Sequence, residues 1–284
     1  MNARRTRQWA LIISILLTGL TACSHPVKTI SPEMAQQEIQ AAQEAYDDGD
    51  FDVAAEHYRK AADLGNAQAQ NNLATLYHAG QGVPQDYSQS AYWFRKAAEQ
   101  GYAGAQYNLA VSYHEGYGVP KDPAQAALWL RKSAEQGDAQ AQYNLGFTYD
   151  EGQGVEQDYD QAAQWFRKAA ELGNAKAQFA LAAAYIKGQG VPQDYAQAAF
   201  WLYKAAVQGH TGAQYNLAVS YEEGQGVAKD YKQAAGWYRI AAEHGNPKAQ
   251  YALGHLYETG RGVKRNAELA KEWKSEAMTQ GYKP

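Results

Sequence analysis

The stretch AQAQYNLGFTYDEGQGVEQDYDQAAQWFRKAAELG, residues 139–173, decides the fold, because it is one copy of a pattern that returns every 36 residues. Its closing Gly173 has equivalents at Gly65, Gly101, Gly137, Gly209, Gly245 and Gly281, with no insertion or deletion between them. Six intervals carry a Leu (Leu73, Leu109, Leu145, Leu181, Leu217, Leu253) and then a Tyr (Tyr77, Tyr113, Tyr149, Tyr185, Tyr221, Tyr257). A Gly-x-Gly-Val and a single Trp follow (Trp93, Trp129, Trp165, Trp201, Trp237, Trp273). A period in this range predicts a solenoid, in which each unit buries its apolar face only by stacking on the next. Most of the conspicuous residues are thereby given structural work, and function has to be sought in what varies.

Within a unit the signals are those of a helical hairpin. Asn66, Asp138, Asn174 and Asn246 follow the marker glycine and suit the N-cap of a first helix of about three turns, and Pro247 fits N1. That helix is expected to end at the Gly-x-Gly pair, where at least one glycine takes a positive φ. The second helix is expected to open at Asp-x-x-Gln (Asp86, Asp122, Asp158, Asp194, Asp230), a capping-box pattern, with Pro123 at N1 in one unit. It then runs through Ala162, Ala163, Trp165, Lys168, Ala169 and Ala170 to the next marker glycine. Ala69, Leu73 and Tyr77 lie at i, i+4 and i+8 and predict one buried stripe, with Gln70 beside it. The Trp is expected to fill the space between layers.

Both ends depart from the pattern. Residues 31–65 read as a capping hairpin similar to a tetratricopeptide unit, with Ser31-Pro32 opening its first helix, a shorter turn at Asp47-Asp48-Gly49-Asp50, and Tyr58 at the phase of the Trp. Six repeats then occupy 66–281. The last is more polar, as a terminal layer facing water requires, with Asn266, Lys271 and Glu276 replacing Asp, Ala and Lys.

Ahead of the array, Arg4, Arg5 and Arg7 precede an apolar run from Trp9 to Leu20, the length of a signal-peptide core and short for a membrane span. The run ends in Leu20-Thr21-Ala22-Cys23, which resembles the lipobox of bacterial lipoproteins. Residues 1–22 are therefore expected to be removed, Cys23 to be acylated, and 23–30 to form a polar tether. Cys23 is the sole cysteine of the chain, and lipidation explains a lone thiol in an exported protein. Each buried methylene contributes about 0.8 kcal/mol, so several acyl chains would hold the protein firmly. Ser24, rather than Asp, after the cysteine favours the periplasmic face of the outer membrane. Cleavage removes three arginines and no acidic residue, so the net charge goes from −4 to −7. Nucleic-acid binding normally demands a basic stripe, and none is visible.

The unit Ala-x-Ala-Gln-Tyr-x-Leu-Gly-x-x-Tyr-x-x-Gly-x-Gly-Val-x-x-Asp-Tyr-x-x-Ala-x-x-Trp-x-x-Lys-Ala-Ala-x-x-Gly resembles the Sel-one-like repeat family, a relative of the tetratricopeptide repeats. The resemblance implies an all-α, right-handed superhelical solenoid of antiparallel helix pairs that serves as an adaptor, binding a protein or peptide along the concave side of its first helices. It would turn Asn72, Asn108, Asn144 and Asn216 toward that groove, flanked by Tyr107, Tyr143, Phe179, Tyr215 and Tyr251. Amides beside phenols suit an extended peptide, but the same residues could hydrogen-bond between neighbouring helices instead. Positions that change from unit to unit are more informative: Thr75, Val111, Phe147, Ala183, Val219 and His255 share one phase, and Phe147 is the strongest single anchor. The acidic set Glu115, Asp150, Glu151, Glu222 and Glu223 either favours a basic partner or forms a solvated face.

Catalysis is not expected. There is no His-Glu-x-x-His, no Cys/His cluster, no Gly-x-Ser-x-Gly and no phosphate loop, so neither metal nor cofactor is implied. The seven histidines are expected at the surface or in the tether. The sequence thus points to a membrane-anchored periplasmic scaffold. The alternative is an immunity lipoprotein that neutralises a secreted antibacterial toxin of the lipase type.

Overall fold

The computed structural model describes residues 32–283, which form fourteen α-helices. The expected signal peptide, Cys23, tether and Ser31 lie outside the described residues. Helices α1 (Pro32–Asp47) and α2 (Phe51–Asp63) make the first hairpin. Six further pairs follow: α3 (Ala67–Ala79) with α4 (Tyr87–Glu99), α5 (Ala103–Glu115) with α6 (Pro123–Glu135), and α7 (Ala139–Glu151) with α8 (Tyr159–Glu171). Then come α9 (Ala175–Lys187) with α10 (Tyr195–Val207), α11 (Thr211–Glu223) with α12 (Tyr231–Glu243), and α13 (Pro247–Thr259) with α14 (Ala267–Thr279). Helix contacts run chiefly between chain neighbours, α7 on α8 and α8 on α9, so the molecule is an all-α solenoid of paired helices with a core continued from unit to unit.

The helix boundaries follow from their caps. Asn66, Asp138, Asn174 and Asn246 each accept the backbone N–H three residues on, opening the first helices. Asp86, Asp122, Asp158, Asp194 and Asp230 do the same for the second helices. The capping box is realised in its forward half. The aspartate's own N–H turns instead to the carbonyl of the repeat tyrosine, as from Asp158 to Tyr149 at 3.0 Å, tying the loop to the helix it has just left. Both glycines of the Gly-x-Gly pair take positive φ. The second has a further reason to be glycine: a Cβ on Gly190 would stand 1.9 Å from the carbonyl oxygen of Tyr159, at the start of the preceding second helix.

The core is built of small residues. Ala141, Leu145 and Ala177 are fully buried, Ala162, Ala163, Ala169 and Ala170 nearly so, and Gln142 is buried among them. One expectation is refined and one needs correction. Trp165 is buried at 8% exposure, but the other repeat tryptophans are only partly buried. They nonetheless pack between units, since Trp93, Trp129, Trp201 and Trp237 each lie against two neighbouring core clusters, and Lys132 sits over Trp129 at 4.1 Å. Tyr58 does not hold the phase of the Trp. Aligning the helix starts Phe51 and Tyr87 pairs Tyr58 with the buried Phe94 and leaves His57 opposite Trp93.

Two side-chain ladders cross the units. The buried glutamine of each first helix donates to a carbonyl eight residues back, as Gln106 does to Ala98 at 3.2 Å. In four units it accepts in turn from a glutamine thirty positions on: Gln100 to Gln70 at 2.7 Å, Gln136 to Gln106 at 2.7 Å, Gln208 to Gln178 at 2.8 Å and Gln280 to Gln250 at 2.9 Å. His244 takes the same place against Gln214. A second ladder joins an arginine to the next unit's tyrosine, as Arg167 to Tyr185 at 2.7 Å and Arg95 to Tyr113 at 2.9 Å.

Candidate partner-binding groove

Phe147 is 43% exposed. It stands beside a hollow of about 460 Å³ between α7 and α9. Tyr143, Phe147 and Phe166 wall it from one unit, Phe179 from the next and His210 from the start of the one after.

Missing side chains make the space. In α9 the phases that hold Asn144, Phe147 and Thr148 in α7 are Ala180, Ala183 and Ala184, and all three line the hollow. Gly146 adds to this, since a Cβ there would meet the Phe166 ring at 2.6 Å; its absence lets that ring lie close to α7. Tyr143 and Phe166 pack tilted at 6.0 Å, and burial raises the Tyr143 phenol above its ordinary pKa. Lys176, Lys187 and Asp150 also border the hollow.

His210 is not the surface residue its sequence position suggested. Its Nδ1 accepts the Ala213 N–H at 3.2 Å, so it caps α11 where other units use Asn or Asp. Its ring stacks on Phe179 at 4.5 Å. Burial, aided by the nearby charge of Lys176, holds the imidazole below its ordinary pKa, and a neutral ring is what the cap needs.

The sequence-selected residues divide. Tyr143 and Phe147 come together in the hollow. Asn144 donates to the Tyr107 hydroxyl of the previous unit at 3.2 Å and accepts from Gln140 at 2.9 Å. Asn108 donates to Asn71 at 3.1 Å, and Asn71 to Asn72 at 3.3 Å. These amides therefore link neighbouring first helices, the second use the sequence allowed. Tyr215 packs on Tyr238 at 5.8 Å, and Val219 lies against the core of the last units. Val111 and Asn216 are partly buried, and neither borders the hollow. Phe166 and His210 were missed because one belongs to the second helix and the other looked like a helix-end residue. The available signal was FALAAAY at 179–185, where a run of alanines replaces larger groups.

Among the described residues, no cluster of three His, Cys, Asp or Glu could hold a metal ion, and no helix is long and apolar enough to cross a membrane.

The Sel1 repeat pattern matches this chain at residues 44–66, 67–102, 103–138, 139–174, 175–210, 211–246 and 247–282. Among solved structures, a protective antigen of uropathogenic Escherichia coli displaying an SLR fold is 39% identical, with a TM-score of 0.78. That match covers 80% of this chain and 49% of the antigen, so the chain spans about half of that relative's length. A Sel1 repeat protein from Oxalobacter formigenes is 33% identical over 87% of this chain and 99% of its own, with a TM-score of 0.73. An immunity protein from Pseudomonas aeruginosa is 26% identical over 76% of this chain and 81% of its own; its TM-score of 0.42 gives the likeness no functional weight. No curated protein matches the chain.

Proposed function

The chain belongs to the Sel1 repeat family, and from that premise we propose that it is an adaptor held at the bacterial envelope by lipid on Cys23, gripping a protein segment in the groove between its first helices. The Sel1 repeat scaffold is suited to protein–protein interaction. The observation that carries the finer reading is the hollow between α7 and α9, where Phe147 offers an exposed ring beside space left by Ala180, Ala183 and Ala184. Anchors of this kind, an aromatic residue at a desolvated pocket, dominate binding energy in protein interfaces. The lipobox and the polar tether support placement on the periplasmic face of the outer membrane.

The test is capture of the full-length protein from chemically crosslinked cells, comparing the natural chain with Phe147→Ser. A partner lost in the variant at unchanged melting temperature supports the groove; equal recovery removes it. Envelope machinery from the same cell makes the protein a scaffold, and a secreted antibacterial toxin makes it an immunity protein. For the anchor, Cys23→Ser should release the protein from membranes and abolish incorporation of labelled palmitate. Retention in the membrane fraction would contradict the lipid assignment.

A further inference from the structure

The hollow differs in charge from the strip around it. At the last residue of the first helix Glu115, Glu151 and Glu223 stand in three units, whereas α9 ends in Lys187. Lys176, the second residue of α9, borders the same hollow. The two lysines are eleven residues apart on one helix, roughly 16 Å along its axis. One therefore stands at each rim, with the aromatic walls between them. Both are exposed, and among the described residues neither makes an ion pair. The lining holds a single carboxylate, Asp150, and His210 is held neutral. In a body that is acidic overall, this is an apolar socket with a positive rim.

Resting on the groove reading, we infer that the socket takes a Phe- or Leu-sized side chain from an extended acidic segment whose flanking carboxylates meet Lys176 and Lys187. An extended chain advances about 3.3 Å per residue, so glutamates two residues to either side of the buried ring fall within reach of the lysine stems. Charge complementarity of this kind sets which partner is admitted, while the aromatic contact supplies affinity. The acidic strip reaches the socket only from α7, through Asp150, and gives way to Lys176 and Lys187 on α9, which repel a basic segment there.

The experiment uses the full-length protein in detergent micelles and three fluorescein-labelled peptides, read by anisotropy. They are Glu-Ser-Phe-Ser-Glu, Lys-Ser-Phe-Ser-Lys and Glu-Ser-Ala-Ser-Glu. The first is expected to bind about tenfold more tightly than either of the others. Lys187→Glu, a change at an exposed helix end, should erase or invert the preference for the acidic peptide, and Ala183→Trp, which fills the socket, should abolish binding of the first peptide. Equal or better binding of the lysine peptide, a charge preference untouched by Lys187→Glu, or no binding of any peptide would overturn the inference. If Phe147 still governs capture of a cellular partner in that case, only the assignment of an acidic segment falls; loss of both removes the groove reading as well.

Discussion

Phe179 and His210 stack with their ring centroids 4.5 Å apart and their planes 25° from parallel, joining the first helix of one unit to the N-cap of the next. The contact makes one wall of the hollow dependent on a titratable group. Protonated at Nδ1, His210 could no longer accept the Ala213 N–H, and it would place a positive charge at the positive end of α11.

Stability should therefore depend on pH through this residue. Its folded pKa is lowered by burial, so between that value and the unfolded value near 6.5 the unfolded chain binds a proton the folded chain refuses. The contribution is fully present above about pH 6.5 and is lost as the pH falls from there to the lowered folded value. Urea unfolding across that window should show the natural protein losing stability relative to His210→Asn, which keeps a cap of the type found at Asn174. Parallel profiles for the two proteins would contradict this.

Leu172 interrupts the glutamine ladder. Gln100, Gln136, Gln208 and Gln280 hold this phase in other units and His244 in another, each bonded to a buried amide thirty residues back. Leu172 is 59% exposed, and the Oε1 of buried Gln142 has no partner. Leu172→Gln should supply the missing donor and raise stability by about 1 kcal/mol, seen as a higher urea midpoint at unchanged slope. An unchanged or lower midpoint would show that the amide is satisfied in another way.

Gly190 and Gly173 both have positive φ, +67 and +91, but differ in space. A Cβ at Gly173 meets nothing within 4 Å, whereas at Gly190 it would lie 1.9 Å from the Tyr159 carbonyl oxygen. Gly173→Ala should carry only the backbone penalty, about 1 kcal/mol. Gly190→Ala should cost at least twice that, because the loop must leave the second helix it rests on. As stacking is local, hydrogen exchange should rise chiefly in α8, α9 and α10. Equal effects of the two substitutions would mean that the loop contact contributes nothing.

The period of 36 residues, the aspartate caps and the marker glycines made the hairpins and their order legible in the sequence, because each is a local signal read within one or two turns. Phe147 was legible too, as a large residue at a phase that stacking does not dictate. The hollow was not. It arises from side chains that are absent at Ala180, Ala183 and Ala184, and from Phe166 and His210, which reach it from other elements. The roles of the repeated amides also required the superhelix: whether Asn144 faces a ligand or bonds to Tyr107 depends on how far one first helix lies from the next. The pairing of Gln136 with Gln106 is hidden for the same reason, being a contact between layers.

Photo-crosslinking in living cells probes the groove directly, from benzoylphenylalanine placed at position 147, on the hollow, and at position 200, an exposed site on α10 that does not border it. A partner held in the groove gives a discrete protein adduct from position 147 that disappears when Ala183→Trp fills the hollow, and none from position 200. An adduct from position 200 alone, or one from position 147 that survives Ala183→Trp, would contradict the claim that this groove is where the partner is held.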